Sequence, residues 1–524
     1  MSLRQRKKTK LKEYSNRKQQ SAIIPFRQKP ADQRAYEASS TGRRLGQWDA
    51  PNLAPTQAVS TELDTLRKRN RAAVRNNPWT SRAIKVDVAN EIGTGIVPRP
   101  ATDDLEFNKA LSELWRDYYP LADYAGGLGV YGLQWSASRS RKEAGEVFIR
   151  IIRQRSNRNI PVPLQFQIVE SDMCPTGLNR TRLENGNGIN SGVEIDDNGK
   201  PVAYWFYKHH PDDFLNTTNL SIQDMVRIKA NDIIHHFIPN RPGQLRGEPN
   251  GVQSMVRSYV FDKYDDAELG RKEARSHFTG VIRRPEYGEE DYKFDPISGE
   301  PISKDESDVP MIEMETGTFP NLLPGEDVTL FDGDDAGRGY KDYQHYQLLG
   351  MSAGHDVPYQ LLSGDYTEIN DRLWRAIMNQ YHREIGQNQD MFVIPQVCRR
   401  MWIEFVDRAI LSGAVKAPKN YNTNRFNYIR CDHRPQAFKH IHPQQDVAAR
   451  IAEVDAGFVS RQKTVDELRG ESVEEVDAQR KSDMDREEKL GLKQDVVDEN
   501  QSKNSNSSSN QSKDKKNEPS KSSK

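Results

Sequence analysis

Between Gly251 and Gly280 the chain reads GVQSMVRSYVFDKYDDAELGRKEARSHFTG. Val252, Met255, Val256, Tyr259, Val260, Tyr264, Ala267, Ala274 and Phe278 recur there at three- and four-residue steps, the spacing of one face of an α-helix. A single helix of 28 residues would span about 42 Å. Few compact domains hold a rod of that length, so the rest of the chain has to be organised around it. The helix is entered through HHFIPNRPGQLRGEPNG, residues 235–251, which carries Arg241 and Arg246 among three prolines and three glycines. This rigid, basic elbow reads either as a plain strand-to-helix loop or as a surface loop of a larger assembly.

The segment after the long helix is acidic. Residues 281–335 hold four Lys/Arg against sixteen Asp/Glu and lose the helical period. A second helix is expected from Tyr340 to about Ala353, stopped by Gly354 and Pro358. A third starts near Asn370, with Trp374, Ile377, Met378 and Tyr381 on one side, and runs to Leu411; Pro395 should kink or break it. Ahead of the elbow, Thr61 can cap a helix carrying Leu63, Leu66, Ala73 and Val74. Asn76, Asn77 and Pro78 break it, and helical spacing resumes until Gly93 and Gly95. Further helices are expected over 103–118, with Leu105, Leu111, Leu114 and Trp115 on a face, and over 131–145. EVFIRIIRQ, PLQFQIVES and DIIHHF read as strands, and GVEIDDNGKPVAYWFY as a hairpin whose Asn198-Gly199 suits a type I′ turn. The fold class is α+β. Residues 1–57 read as a basic flexible arm, with thirteen Lys/Arg against three Asp/Glu in residues 1–46; residues 444–490 read as helical and charged, and 491–524 as a disordered Ser/Asn/Lys-rich tail.

Composition narrows the function classes. Only 35% of the 524 residues are hydrophobic while 29% are charged, which suits an elongated or multimeric protein better than one large globule. Formal net charge is zero, hiding the basic arm and the acidic block. Three widely spaced cysteines, Cys174, Cys398 and Cys431, argue against a disulfide framework and for a reducing compartment. No apolar run approaches the roughly 18–20 residues of a membrane span, and no apolar segment follows the basic N-terminus, so the chain reads as intracellular and soluble. The phosphate loop G-x-x-x-x-G-K-[ST], the dinucleotide fingerprint, the G-x-S-x-G elbow and H-E-x-x-H are all missing, which disfavours an enzyme acting on nucleic acid or nucleotides, such as a nuclease or ATPase. His235 and His236 are neighbours on a strand and should face opposite ways. Cys431, His433, His440 and His442 match no zinc spacing and read as an ordinary loop, so no metal or cofactor is expected.

Seven stretches, taken in order, resemble the tailed-phage portal proteins of the lambda family. They are VRNNPWTSRAIKVDVANEIGTGIVPRP (74–100), LQFQIVESDMCPT (164–176), GVEIDDNGKPVAYWFYKHHPDD (192–213), IIHHFIPNRPGQLRGEP (233–249), YDDAELGRKEARSHFTGVI (264–282), VPYQLLSGDYTEIND (357–371) and GFVSRQKTVDELRGESVEEV (457–476). One departure is that TEINDRLWRA follows the SGD triplet where the family has a Ser/Tyr-rich stretch.

The resemblance implies a portal-type subunit with an α+β wing (58–250), long stem helices (251–279 and 338–356), a small α/β acidic clip (280–337), a tunnel loop (357–371), a long wing helix with its return segment (372–443) and a helical crown (444–490). It implies a homo-oligomeric ring, usually of twelve, at one vertex of a virion assembled in the host cytoplasm. Double-stranded DNA would pass through it without sequence recognition. Partners would be the terminase large subunit, major capsid and scaffold proteins and head-tail joining proteins, with no catalysis of its own. The tunnel loop would place Gln360, Ser363, Gly364, Asp365, Tyr366, Thr367, Glu368, Asn370 and Asp371 at the channel. It would be free to move between its flanking helices, with no cation before Arg372. Arg283, Arg284, Glu286, Glu289, Glu290 and Asp291 of the clip would dock the terminase. The basic arm would bind DNA weakly and with strong salt dependence. The competing reading, a plain capsid or scaffold protein, does not account for two long helices flanking an acidic insert.

Overall fold

The structure is a computed structural model. It describes residues 47, 50–155, 159–213, 225–277, 280–283, 297, 327–330, 339–367, 369–438, 443–469 and 473–491; within these, 274–283, 327–330, 443, 446, 466–469 and 475 are described by backbone alone. The chain divides into two units, Met1–Ala58 and Val59–Lys524. Of the expected basic arm only its end is described, and there the helix Pro55–Ser60 begins inside the segment read as flexible.

The second unit starts with α1 (Leu63–Asn76) and α2 (Pro78–Glu91). Asn77 separates them as expected: it is extended, and its side chain accepts from the amides of Trp79 and Thr80, capping α2 with Pro78 in its first turn. Strand β1 (Val97–Pro100), α3 (Leu105–Tyr118) and α4 (Val130–Ala144) come after them. The buried face of α3 is Phe107, Leu111, Trp115 and Tyr118; Leu105, expected on that face, is exposed because it is the first helical residue, next to the capping Asp104.

Strands β2 (Glu146–Arg153) and β3 (Leu164–Val169) come next, then β4 (Gly188–Asn190), β5 (Val193–Ile195), β6 (Pro201–Tyr207), β7 (Met225–Lys229) and β8 (Ile233–Phe237). They form two antiparallel sheets, ordered β3-β2-β8 and β4-β5-β6-β7. The continuous apolar run of β2 reflects burial on both faces. Val147, Ile149 and Ile151 join Trp115, Phe166, Trp402 and Phe405 in the main core, while Phe148 points the other way onto Val193, Tyr204 and Phe206 of the second sheet. The β5–β6 connection is not the expected type I′ turn. Gly199 has φ +81°, but Asn198 has no positive φ. Asp196 instead accepts from Asn198 N and Lys200 N, and Gly199 N donates to the Asp196 carbonyl, a tight turn closed by one left-handed glycine.

Beyond the elbow stand α5 (Val252–His277), β9 (Gly280–Arg283), β10 (Asp327–Leu330), α6 (Tyr340–His355) and α7 (Tyr359–Ser363). Then α8 (Asp371–Asn388) runs without a break through Gln389–Cys398 into α9 (Arg399–Leu411). Pro395 does not break the helical run. The middle segment winds in π-type turns, with the Arg399 amide on the carbonyl five residues back, at Ile394. The wider turn relieves the clash that a proline ring makes with the carbonyl four residues before it in an α-helix. The short α10 (Arg425–Tyr428) leads to β11 (Cys431–Arg434), which pairs with β1; α11 (Pro443–Asp455), α12 (Arg461–Arg469) and α13 (Val473–Leu490) complete the described chain.

Candidate functional site

The long helix α5, 26 residues and thus about 39 Å, packs antiparallel against α6. Contacts climb one helix as they descend the other. Tyr340 Oη donates to Asp265 at 3.0 Å, Tyr264 meets Tyr343 at 4.6 Å between ring centres, Arg257 donates to Gln347 at 3.2 Å, and Gly354 lies against Ser254. The face of α5 turned to its neighbours is Ser254, Ser258, Phe261 and Glu268. Part of the apolar period seen in the sequence lies on the opposite side: Val256, Tyr259 and Val260 are 73%, 61% and 54% exposed. This helix is therefore apolar on a face that one chain leaves in water. At the far end, β9 and β10 pair from Gly280↔Leu330 to Arg283↔Asp327, so a two-stranded ladder holds both ends of the acidic stretch. Of the residues expected to dock a terminase, Arg283 is described by its backbone on β9; Arg284, Glu286, Glu289, Glu290 and Asp291 lie outside the described residues, as does the basic arm over 1–46.

The elbow answers to the interior rather than to the surface. Arg246, read as a possible surface contact, is wholly buried. Its Nε donates to Glu146 at 2.7 Å and its Nη2 to the Cys174 carbonyl at 3.1 Å, while Arg241 is exposed. Glu146 also accepts from Arg67, from Gly247 N at 3.0 Å and from His235 Nε2 at 3.0 Å. Burial raises the Glu146 pKa, but the Arg246 and Arg67 guanidiniums outweigh it and hold the carboxyl well below its ordinary range. Gly247 is required by packing: a Cβ there would stand 2.1 Å from the Gly145 carbonyl oxygen. At the helix entrance Gly251, with φ +78°, leaves room for His355 of α6.

A second buried ionic group sits alongside. Lys142 reaches Asp87 at 2.5 Å and Glu91 at 3.3 Å, and Arg141 reaches Glu91 at 2.7 Å. Burial would raise Glu91, yet Arg141, Lys142 and the Ser138 hydroxyl bring it to about 2. His235 and His236 do face opposite ways. The first lies on Glu146; the second donates from Nδ1 to Gln396 at 2.7 Å, and burial pushes it down to about 3. Gln396 of the π-type segment also bonds Phe237 N and O, stitching that rod to β8.

The stretch read as a mobile loop is largely built into the body. Gln360 and Ser363 belong to α7, and Leu362 is buried with Ala83, Phe261, Met351 and Val357. Gly364, with φ +76°, ends α7, and Asn370 caps α8 by accepting from Leu373 N at 2.8 Å. Between them Asp365 accepts from Thr367 N at 3.0 Å and Thr367 Oγ1 at 2.6 Å. Tyr366 sets its ring at 5.5 Å and nearly perpendicular to Trp374. Asp371 opens α8, 3.5 Å from Arg375, and Glu368 lies outside the described residues. The stretch carries no cation of its own, but Arg82 of α2 lies against Gly364 and donates to the Leu361 carbonyl at 2.7 Å. The Thr367 hydrogen bonds lower the Asp365 pKa, with smaller help from Lys341 and His345. Arg82 was invisible to sequence reasoning because it comes from 279 residues away.

Cys431 and His433 stand on β11 and line a cleft of about 1240 Å³; His440 and His442 lie outside the described residues. Among the described residues one cluster has metal-ligand spacing, Glu170, Asp172 and His210, and Arg71 already bonds both of its carboxylates at 2.6 and 2.5 Å. No described helix is long and apolar enough to cross a membrane.

The family model described as "Phage portal protein, lambda family" matches residues 41–389. Among curated relatives, a probable portal protein of Halomonas phage phiHAP-1 is 25% identical over 407 residues, covering 75% of this chain and 76% of that protein. Portal protein B of Escherichia phage lambda is 20% identical over 493 residues, covering 87% and 90%. Among solved structures, a chain from the neck of an empty gene transfer agent particle covers 81% of this chain and 97% of its own length at 15% identity, with a TM-score of 0.43. The match over 41–389 takes in the capped α2, both sheets, the buried elbow and the antiparallel helix pair, and the chain belongs to the lambda family of phage portal proteins.

Proposed function

We propose that copies of this chain close head to tail into a ring, twelve in number, at one capsid vertex of the virion, and that double-stranded DNA passes through the ring during packaging and ejection. On this reading residues 58–250 are the wing, α5 and α6 the stem and 280–337 the clip. Residues 357–371 are the tunnel loop, 372–443 the wing helix and its return, and 444–490 the crown. The clip meets the terminase and then the head-tail joining proteins, major capsid and scaffold proteins are further partners, and the chain performs no catalysis.

The observation that carries the reading is the stem pair of a portal-family chain with a second apolar face. Val256, Tyr259 and Val260 are exposed on α5 opposite its packed side, which supports burial against another copy. The charge distribution supports a conduit. DNA that must move cannot be held firmly, and each cation–phosphate contact adds affinity through counterion release. A segment with four cations and sixteen carboxylates over 281–335, repeated around a ring, repels phosphate.

The test is to replace Asp365 and Glu368 together by Lys and measure DNA packaging into capsids. Rings should still assemble while translocation slows or arrests. Packaging at the parent rate would remove residues 357–371 from the channel.

A further inference from the structure

Resting on the reading of residues 357–371 as a channel-facing loop, we propose that Arg82 is its positioning residue. Arg82 projects from α2 with its side chain at the surface. Its Nε donates to the Leu361 carbonyl at 2.7 Å. That carbonyl lies near the C-terminal end of α7, a helix of five residues whose last carbonyls are the ones left over when the ladder stops. The guanidinium then spreads over Gly364, where a Cβ would stand 3.4 Å from Nη2 and 3.7 Å from Cζ. Glycine is needed at this place for its φ of +76°, and the guanidinium rests over it at van der Waals distance.

The loop is fixed at its other end by its own neighbours, through Tyr366 against Trp374 and the Asn370 cap. Arg82 supplies a hold from a distant helix, and that helix also bears on the stem. Thr80 Oγ1 lies 3.2 Å from Ser258 Oγ of α5, and Ala83 packs with Phe261, Met351 and Leu362. One helix thus supports both the stem and the root of the loop. The role needs an arginine. A planar guanidinium can donate from Nε while its far nitrogens cover Gly364; a lysine ammonium is a point charge and cannot do both.

Hydrogen exchange measured by mass spectrometry on the full-length assembled protein, without DNA, tests this. Peptides covering 361–370 should exchange about tenfold faster in both Arg82→Gln and Arg82→Lys, the loss of one well-placed hydrogen bond. Peptides from β2 and β3 should be unchanged. Parent-rate exchange in Arg82→Gln, recovery of the parent rate in Arg82→Lys, or equal acceleration in β2 and β3 would each overturn the assignment. Because no DNA is present, the outcome is separate from the packaging test. Faster exchange with normal packaging of the Asp365/Glu368 lysine variant removes the channel reading alone. Unchanged exchange with arrested packaging removes the role of Arg82 alone.

Discussion

Arg246 of the elbow and Glu146 at the start of β2 form an ion pair in which neither side chain is exposed, 2.6 Å apart and 100 residues distant in sequence. It ties the entrance of the 26-residue helix to the centre of a sheet. Glu146→Gln should therefore be costly. It leaves Arg67 and Arg246 buried with no full counter-charge, and removing one partner of such a pair costs about 3–5 kcal/mol. Equilibrium denaturation should show the loss. Asp477→Asn, which breaks the exposed pair with Arg461, should be nearly silent by the same measurement. Equal effects from the two variants would mean that the elbow is not fastened as described.

Acid should loosen the same region in two stages. His236 is brought by burial, and secondarily by Arg141, from 6.5 to about 3. The unfolded chain therefore takes up that proton first, and the stability contributed by neutral His236 is complete above pH 6.5 and lost as pH falls toward 3. Glu91, lowered from 4.5 to about 2, adds a second loss below pH 4.5. The melting temperature should fall from pH 6.5 downward and more steeply below 4.5. His236→Asn keeps a donor for Gln396 and removes the titration, so its decline between pH 6.5 and 4.5 should be shallower. His355 and His433, both pushed down to about 4 chiefly by burial, preserve part of the slope. An unchanged slope in His236→Asn would contradict the assignment.

Charge on the outer face of α5 should separate assembly from folding. Val256→Asp and Val260→Asp alter side chains that one chain leaves exposed, so circular dichroism and melting of the monomer should hold. Placed between copies, two carboxylates would be buried without partners. Light scattering should show rings replaced by monomers at micromolar concentration. Rings of normal mass from the double variant would place the interface elsewhere.

The long helix was legible because its apolar period is regular, but Val256, Tyr259 and Val260 of that period are exposed, while Ser254, Ser258 and Phe261 make the intrachain contact. Asn77 and Pro78 gave a correct boundary because capping is local chemistry. At Pro395 the expected break is absent because the rule for proline presumes α-type hydrogen bonding, and a wider turn accommodates the same ring. Arg246 and Arg82 were opaque for one reason: their partners, Glu146 and Leu361, are 100 and 279 residues away, and no local pattern encodes such a pairing. Gly247 carried a faint signal as a glycine beside a charged residue in a rigid segment, but its partner, the backbone of Gly145, could be found only in three dimensions.

Electron microscopy of the purified full-length protein tests the central claim most directly. Closed rings of cyclic symmetry with a central hole wide enough for a DNA duplex are the expected result, since a head-to-tail interface that closes gives a ring of fixed number. Monomers at high protein concentration, or open filaments without closure, would contradict it.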